Sequence, residues 1–382
     1  MNPPTVTPAP TEPAAPSPSV ATTDGVYSTE SVRTARERSA VLEQQIAADP
    51  SRFRVLTGER PTGALHLGHL IGTVDNRVRL QAQGVEIFLI VADYQVITDR
   101  DVAGDLPAVV REVLLDYLAA GIDPEATTIF THSAVPALNQ LLLPFLSLVT
   151  VAELERNPTV KAETAAAEKR GRRGMSGLMF TYPVHQAADI LFCHANLVPV
   201  GQDQLPHLEI TRTVARRFNY RYAADRPYFP EPDALIVPAP TILGNDGAKM
   251  SKSAGNALEI RASEDETVAF VKKAKTDSER HITYEPDRRP EIANLLTIGA
   301  HFAGTTPEAL AESVGTAGAG RLKQVVTEAL VEGLRPMRAR RAEAAAHGPE
   351  YLHDLLARGN ARANEIADST LDDVRDLMRM TY

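Results

Sequence analysis

The sequence predicts an α/β protein: a parallel sheet with helices on both faces, followed by an α-helical domain. Three observations carry this. Strand-like and helix-like segments alternate from residue 53 to about residue 261, which makes helices the crossovers between parallel strands. The segment "VEIFLIVADY" is one continuous apolar run, the pattern of a strand buried on both sides. Beyond Arg261 the strand signal fades and only helical segments follow.

The elements follow in order. Residues 1–28 are rich in Pro, Ala, Thr and Ser. Such a stretch buries too little apolar surface to offset its ordering entropy, so it reads as a disordered tail. A polar helix is expected from Thr29 to about Ala48, closed by Asp49-Pro50. "FRVLT" reads as the first strand. Next, Ile71, Val74, Val78 and Ala82 share one helical face. After "VEIFLIVADY", residues 106–120 place Val109, Val110, Val113, Leu114, Tyr117 and Leu118 at helical spacing, and Gly121 can end that helix. "TTIFTHS" is strand-like. "TYPVHQAADILFC", "LVPVG", "QLPHLEITRTVARRF" and "DALIVPAP" read as helix, strand, helix and strand. "EIANLLTIGAHF", the run from Ala319 to Ala346 and the run from Pro349 to Met380 read as helices. The division is a tail (1–28), an N-terminal helical extension (29–50), a sheet domain (51–261) and a helical domain (262–382).

Bulk properties exclude several functions. A net charge of −9 argues against general affinity for polyanions. The one cysteine, Cys193, makes no internal disulfide. Metal-ligand spacings of the CxxC or HExxH kind are absent, and no apolar run reaches the ~18 residues of a membrane span. No basic, apolar leader opens the chain. The expectation is a soluble, cytoplasmic protein that uses no membrane.

Two stretches carry chemistry. In "TGERPTGALHLGH", His66 and His69 flank Gly68 at the seam between a strand and a helix. Glycine lets a flat ring or a phosphate approach the backbone. A helix start offers unpaired N–H groups and a positive dipole end. The pattern is neither GxGxxG nor a GxxxxGK[ST] loop, and two histidines at such a turn are also ordinary polar residues. In "GNDGAKMSKSAGN", Lys249 and Lys252 sit three apart on a glycine-rich loop. Two ammonium groups on a flexible loop suit a charge that develops during reaction, such as departing pyrophosphate. An arbitrary lysine pair is more often a solvated loop.

Together, "HLGH" after the first strand and "KMSKS" after the last resemble the two signatures of class I aminoacyl-tRNA synthetases. "TYPVHQAADILFCHANLVPVGQDQLPHLEITRTVARRFN" is similar to the amino-acid-binding region of tryptophanyl-tRNA synthetases, as are "GERPTGALHLGHLIGTVDNRVRLQ" and "AVPALNQLLLPFLSLVTVAELERNPTVK". The resemblance runs from about Phe53 to the C-terminus and leaves out the Pro-rich tail. It implies a Rossmann-type catalytic domain, with an inserted dimerisation and substrate segment, and a helical anticodon-reading domain.

The resemblance also implies roles. His66, Gly68 and His69 would hold ATP, with Arg60 and Thr62 beside them. Lys249, Met250, Ser251 and Lys252 would clamp its phosphates. His66, His69, Lys249 and Lys252 would be the catalytic set. Asp189 would accept the indole N–H of tryptophan, while Tyr182 and Gln204 orient its ammonium and carboxylate. Gly58, Gln95, Gln186 and Val200 would complete the pocket. The physics agrees for Asp189: a carboxylate between Ala188 and Ile190 is costly to bury without a donor, and an indole N–H is a donor only.

ATP enters with Mg2+ as a substrate complex, without a tightly held protein metal. The partners implied are tryptophan, ATP, tRNA(Trp) and a second copy of the chain. The basic runs at 169–174, 271–275 and 335–341 are candidate phosphate contacts for that tRNA, or solvated faces. Arg60, Gln95 and Gln186 depart from the residues common in the family, which points to a divergent bacterial form. Gln186 is also reminiscent of tyrosyl-tRNA synthetases. Tyrosine specificity is therefore one alternative; a non-catalytic paralogue that senses tryptophan is another.

Overall fold

A computed structural model describes residues 29–98, 105–158, 160–161, 175–201, 204–236, 241–252 and 254–382. The tail, the basic run at 169–174, and Gln202 and Asp203 of the proposed pocket wall lie outside them.

The described residues open on α1 (Thr29–Ala48) and enter β1 (Arg54–Glu59). The next helical stretch is composite. α2 (Leu67–His69) passes through a π turn (Leu70–Val74) into α3 (Asp75–Ala82). Then come β2 (Glu86–Val91), α4 (Leu106–Ala120) and β3 (Thr127–Thr131). α4 starts on Asp105, whose carboxylate accepts the Ala108 N–H at 3.0 Å, and ends on Gly121 at φ 104°.

Three short helices, α5 (Pro136–Gln140), α6 (Leu142–Leu146) and α7 (Val151–Arg156), precede α8 (Gly177–Leu191). Their lengths hold too few periodic residues for the sequence pattern to reveal them. β4 (Leu197–Val200), α9 (Leu205–Tyr222) and β5 (Asp233–Ile236) complete the sheet domain. The helical part holds α10 (Glu264–Lys273), α11 (Pro290–Ala303), α12 (Pro307–Val314), α13 (Gly318–Ala346) and α14 (Gly348–Leu377).

The sheet order is β3-β2-β1-β4-β5, and every pairing is parallel. Side chains alternate as the pleat requires. Ile87, Leu89 and Val91 face one side, where Val55 and α1 form one cluster and α2 to α4 pack with α10 to α14 in another. Phe88, Ile90 and Leu56 face the other side, against α5 to α9. Both faces are therefore covered, which explains the unbroken apolar run in β2.

The strand order reverses direction at β1. The first three strands run one way from it, and β4 and β5 lie on the other side. The crevice between the carboxyl ends of β1 and β4 is thus the topological switch point, where such sheets bind ligands.

Both outer strands are covered by helices from the two ends of the chain. On β5, Ser39 of α1 accepts the Ile236 N–H at 2.8 Å and donates to the Ala234 carbonyl at 3.3 Å. On β3, Asn360 of α14 accepts the Thr131 N–H at 3.0 Å. Gly359 lies so close that a Cβ there would overlap the Ile129 backbone. Among the described residues, no helix is long and apolar enough to cross a membrane.

Candidate active site at the carboxyl end of the sheet

The histidine turn lies between β1 and α2. His66 is the N-cap of α2, and its Nδ1 accepts the Gly68 N–H at 3.1 Å. His69 Nδ1 accepts the His66 N–H at 3.2 Å, and the ring centroids lie 3.8 Å apart. Burial pushes the His66 ring down to about 3, helped by the Lys252 ammonium and by His69 when it is protonated, and opposed by Glu59. Burial lowers His69 as well. Both rings are neutral near pH 7. Since each Nδ1 accepts a backbone N–H, each proton sits on Nε2. The turn therefore offers two neutral Nε2–H donors.

The lysine loop folds onto this turn. Gly63 has φ +134°, a conformation open to glycine, and a Cβ there would lie 3.2 Å from Lys252 Nζ. Residues 258–260 run antiparallel to the turn: Leu67 N–H donates to the Leu258 carbonyl, and Ile260 N–H to the Leu65 carbonyl, each at 3.0 Å. Burial lowers the Lys252 pKa, against the carboxylates of Glu259, Asp116 and Glu59.

The glycines suggest a loose loop, yet Asn256 ties it down. Asn256 accepts the Ser251 N–H at 2.8 Å, and donates to Asp246 at 2.8 Å and to the Lys249 carbonyl at 3.3 Å. Met250 is buried, and its N–H donates to the Ile242 carbonyl. Lys249, Arg60 and Thr62 are exposed around the same mouth.

The second half of the crevice is built by α8. Tyr182, Gln186 and Asp189 recur at helical spacing, so they share a face. Tyr182 pairs through its hydroxyl with His207 Nε2 at 3.0 Å. Asp189 is buried, and its Oδ1 lies 2.8 Å from His132 Nε2. His132 stacks on His185 with centroids 4.6 Å apart. His185 Nδ1 accepts from Gln95 at 2.9 Å, and its Nε2 donates to Asn139 at 2.8 Å. Burial holds His185 below the usual histidine range.

Gln95 and Asp189 thus belong to one network joined by two histidines. Gln186 lies half-buried between them in sequence on α8. Val200 ends β4, and Gln204 starts α9 with its N–H on the Gly201 carbonyl at 3.1 Å. Gly58 sits in β1 where a Cβ would overlap Ile90 of β2, so packing between strands alone demands glycine there.

His132, His185, Asn139 and Asn256 were not singled out from sequence. One signal was available for His132: it follows directly on the carboxyl end of a strand, where ligands of parallel sheets bind. His132, His185 and Asp189 also form a three-donor cluster within 4.8 Å. Both His185 ring nitrogens and His132 Nε2 are already hydrogen-bonded, so a cation would have to break those bonds.

A parallel sheet with a histidine pair after its first strand and a two-lysine loop after its last is the build of a class I aminoacyl-tRNA synthetase. The chain belongs to that family: the model for class I tRNA synthetases of the W and Y group matches residues 49–335. It is 40% identical to the tryptophan–tRNA ligase of Treponema pallidum over 340 residues, covering 86% of this chain and 97% of that one. It is 37% identical to the corresponding ligase of Thermotoga maritima, covering 86% and 100%. The tryptophanyl-tRNA synthetase of Campylobacter jejuni, solved with ADP and tryptophan, superposes with a TM-score of 0.70 at 28% identity, covering 85% and 99%.

Proposed function

We propose that the chain is a tryptophan–tRNA ligase that works in two steps. The tryptophan carboxylate attacks the α-phosphorus of Mg-ATP. The bond to the bridging oxygen breaks, and pyrophosphate leaves with its electron pair. A hydroxyl of the terminal ribose of tRNA(Trp) then attacks the acyl carbon, and AMP leaves. No covalent bond to the protein forms, so catalysis is positioning plus electrostatic stabilisation.

The observation that carries this reading is the seating of Lys252 against Gly63, which joins the two motifs at the switch-point crevice. His66 and His69 donate from neutral Nε2–H groups to phosphate oxygens, with Arg60, Thr62 and Gly68 lining the same turn. Lys249 and Lys252, with Met250 and Ser251 holding the loop, take up the charge that builds on the departing pyrophosphate. Asp189 accepts the indole N–H with the oxygen that His132 does not engage. Tyr182 and Gln204 orient the amino acid's ammonium and carboxylate, and Gly58, Gln95, Gln186 and Val200 line the pocket. The helical domain, 262–382, reads the anticodon, and the enzyme acts as a homodimer in the cytoplasm.

The tyrosine and sensor alternatives are not favoured. The relatives above are tryptophan–tRNA ligases along nearly their whole length, and both histidines and both lysines are present. ATP–pyrophosphate exchange with each of the twenty amino acids offered alone tests the reading. Tryptophan should support exchange far better than tyrosine. Faster exchange with tyrosine would reverse the specificity, and none with any amino acid would remove the adenylate step.

A further inference from the structure

Part of the basic run at 335–341 is engaged within the protein, while Arg335 stays exposed beside Glu332. Arg340 and Arg341 reach from α13 back to α4 of the sheet domain, and Arg338 reaches residues 262 and 264 at the start of the helical part. Arg340 Nε donates to the Ala119 carbonyl at 2.8 Å, near the end of α4. Arg338 donates to the Ala262 carbonyl at 3.4 Å and pairs with Glu264 at 3.3 Å. Arg341 Nε donates to Asp116 Oδ1 at 3.0 Å, while its Nη2 pairs with Glu112.

Asp116 is 0% exposed on α4, on a helix whose neighbouring buried residues Val113, Leu114 and Tyr117 are apolar. Burying a carboxylate there is costly, and burial pushes its pKa up. Its two oxygens account for its presence. Oδ1 takes Arg341, and Oδ2 accepts the backbone N–H of Leu65 at 2.8 Å. Leu65 directly precedes His66. Glu112 makes a second branch. It also binds Arg261, whose Nε pairs with Glu259 at 2.7 Å, and Glu259 bridges to His66. Both branches end on the histidine turn, one at Leu65 and one at Glu259, whose backbone pairs with His66.

We propose that Asp116 is a positioning residue for the nucleotide. Through Leu65 it sets the turn that carries His66. Through Arg341 it makes that setting depend on the seat of the helical domain. The bonds of Asp189 run to His132 in a separate network, so ATP rather than the amino acid is the ligand that feels the change. The inference rests on reading the histidine turn as the ATP site.

The test is ATP–pyrophosphate exchange with ATP and tryptophan varied separately in full-length variants. Asp116→Ala loses both bonds. Asp116→Asn keeps an acceptor for Leu65 and loses the ion pair. Arg341→Met removes the cation alone, and Arg341→Lys keeps it. The KM for ATP should rise about 10-fold in Asp116→Ala, the factor for one buried hydrogen bond. It should rise about 3-fold in Arg341→Met and Asp116→Asn, a smaller share of the same loss. The KM for tryptophan should stay within about 2-fold, and Arg341→Lys, which keeps the charge but not the two-point contact, should fall between Arg341→Met and wild type.

If Asp116→Ala does not fold, Arg341→Met and its lysine rescue carry the test. Equal rises in both KM values, or a lower melting temperature with both KM values unchanged, would overturn the proposal and leave the cluster a structural clamp. If wild type shows no tryptophan-dependent exchange, it is the ligase reading that falls. Calorimetric binding of a non-hydrolysable ATP analogue to wild type and Arg341→Met then decides the positioning role: weaker binding in the variant supports it, and equal Kd values overturn it.

Discussion

Asp189 shows how one side chain divides its work. His132, wholly buried, holds one oxygen and fixes the direction of the other. Asp189→Ala should lower kcat/KM for tryptophan by about 10²-fold, because the indole N–H is then buried unpaired and misaligned. His132→Ala leaves the acceptor but not its orientation, so it should cost less, on the order of 10-fold. Exchange kinetics with varied tryptophan check both; a larger loss from His132→Ala would mean that the imidazole, not the carboxylate, meets the substrate.

The histidines set a pH dependence of stability as well. Burial is the main cause that lowers His66 to about 3, and it lowers His69, His185 and His194 too. Just below about pH 6.5 the unfolded chain binds more protons at these rings than the folded chain does. Stability therefore rises with pH through that window and is fully present above it. For His66 the window runs from its unfolded value down to about 3. Thermal melting between about pH 4 and 7 should fall more steeply in wild type than in His66→Gln. Parallel curves would show that His66 titrates alike in both states.

Among the elements, the lysine loop makes the sharpest prediction. Lys252→Ala should slow adenylate formation by roughly 10- to 150-fold, the loss of one charge-assisted contact of about 1.5–3 kcal/mol. Tryptophan binding should hardly change, and a raised tryptophan KM at unchanged kcat would place this lysine elsewhere.

Long elements were legible because they repeat their pattern. α4 announced itself through apolar spacing and Gly121, and α8 through its apolar face. α5, α6 and α7 were not, since five or six residues hold barely one period. Among site residues, the two motifs stood out because unusual residue types cluster in a few positions. His132 and Asp116 are single common polar residues whose partners are distant in the chain, and Asn256 is an ordinary amide whose bonds within its own loop follow no periodic pattern. Asp116 meets Arg341 and Asp189 meets His132 only after folding. The inward bonds of Arg338, Arg340 and Arg341 were hidden for the same reason: sequence shows a cationic run but not which way each side chain turns.

At the scale of the whole molecule, the reversal of strand order at β1 makes one crevice out of segments as distant as residues 63 and 252. The packing of α14 on β3 is the tightest test of that architecture. Gly359→Ala would place a methyl group into the Ile129 backbone, so α14 must lift from the strand. The expected cost is about 1–3 kcal/mol, as for overpacking, read as a lower denaturant midpoint. An unchanged midpoint would mean that the helix slides without loss.

The covered outer strands have a consequence for synthesis. An outer strand with unpaired backbone groups is a template on which another chain can add. In this protein the cover for β5 is made first, by α1, and the cover for β3 is made last, by α14. A nascent chain that halts before Gly348 has all five strands but one open flank. Chains cut before Gly348 should therefore aggregate through β3 under conditions where light scattering finds the chain that carries α14 free of aggregates.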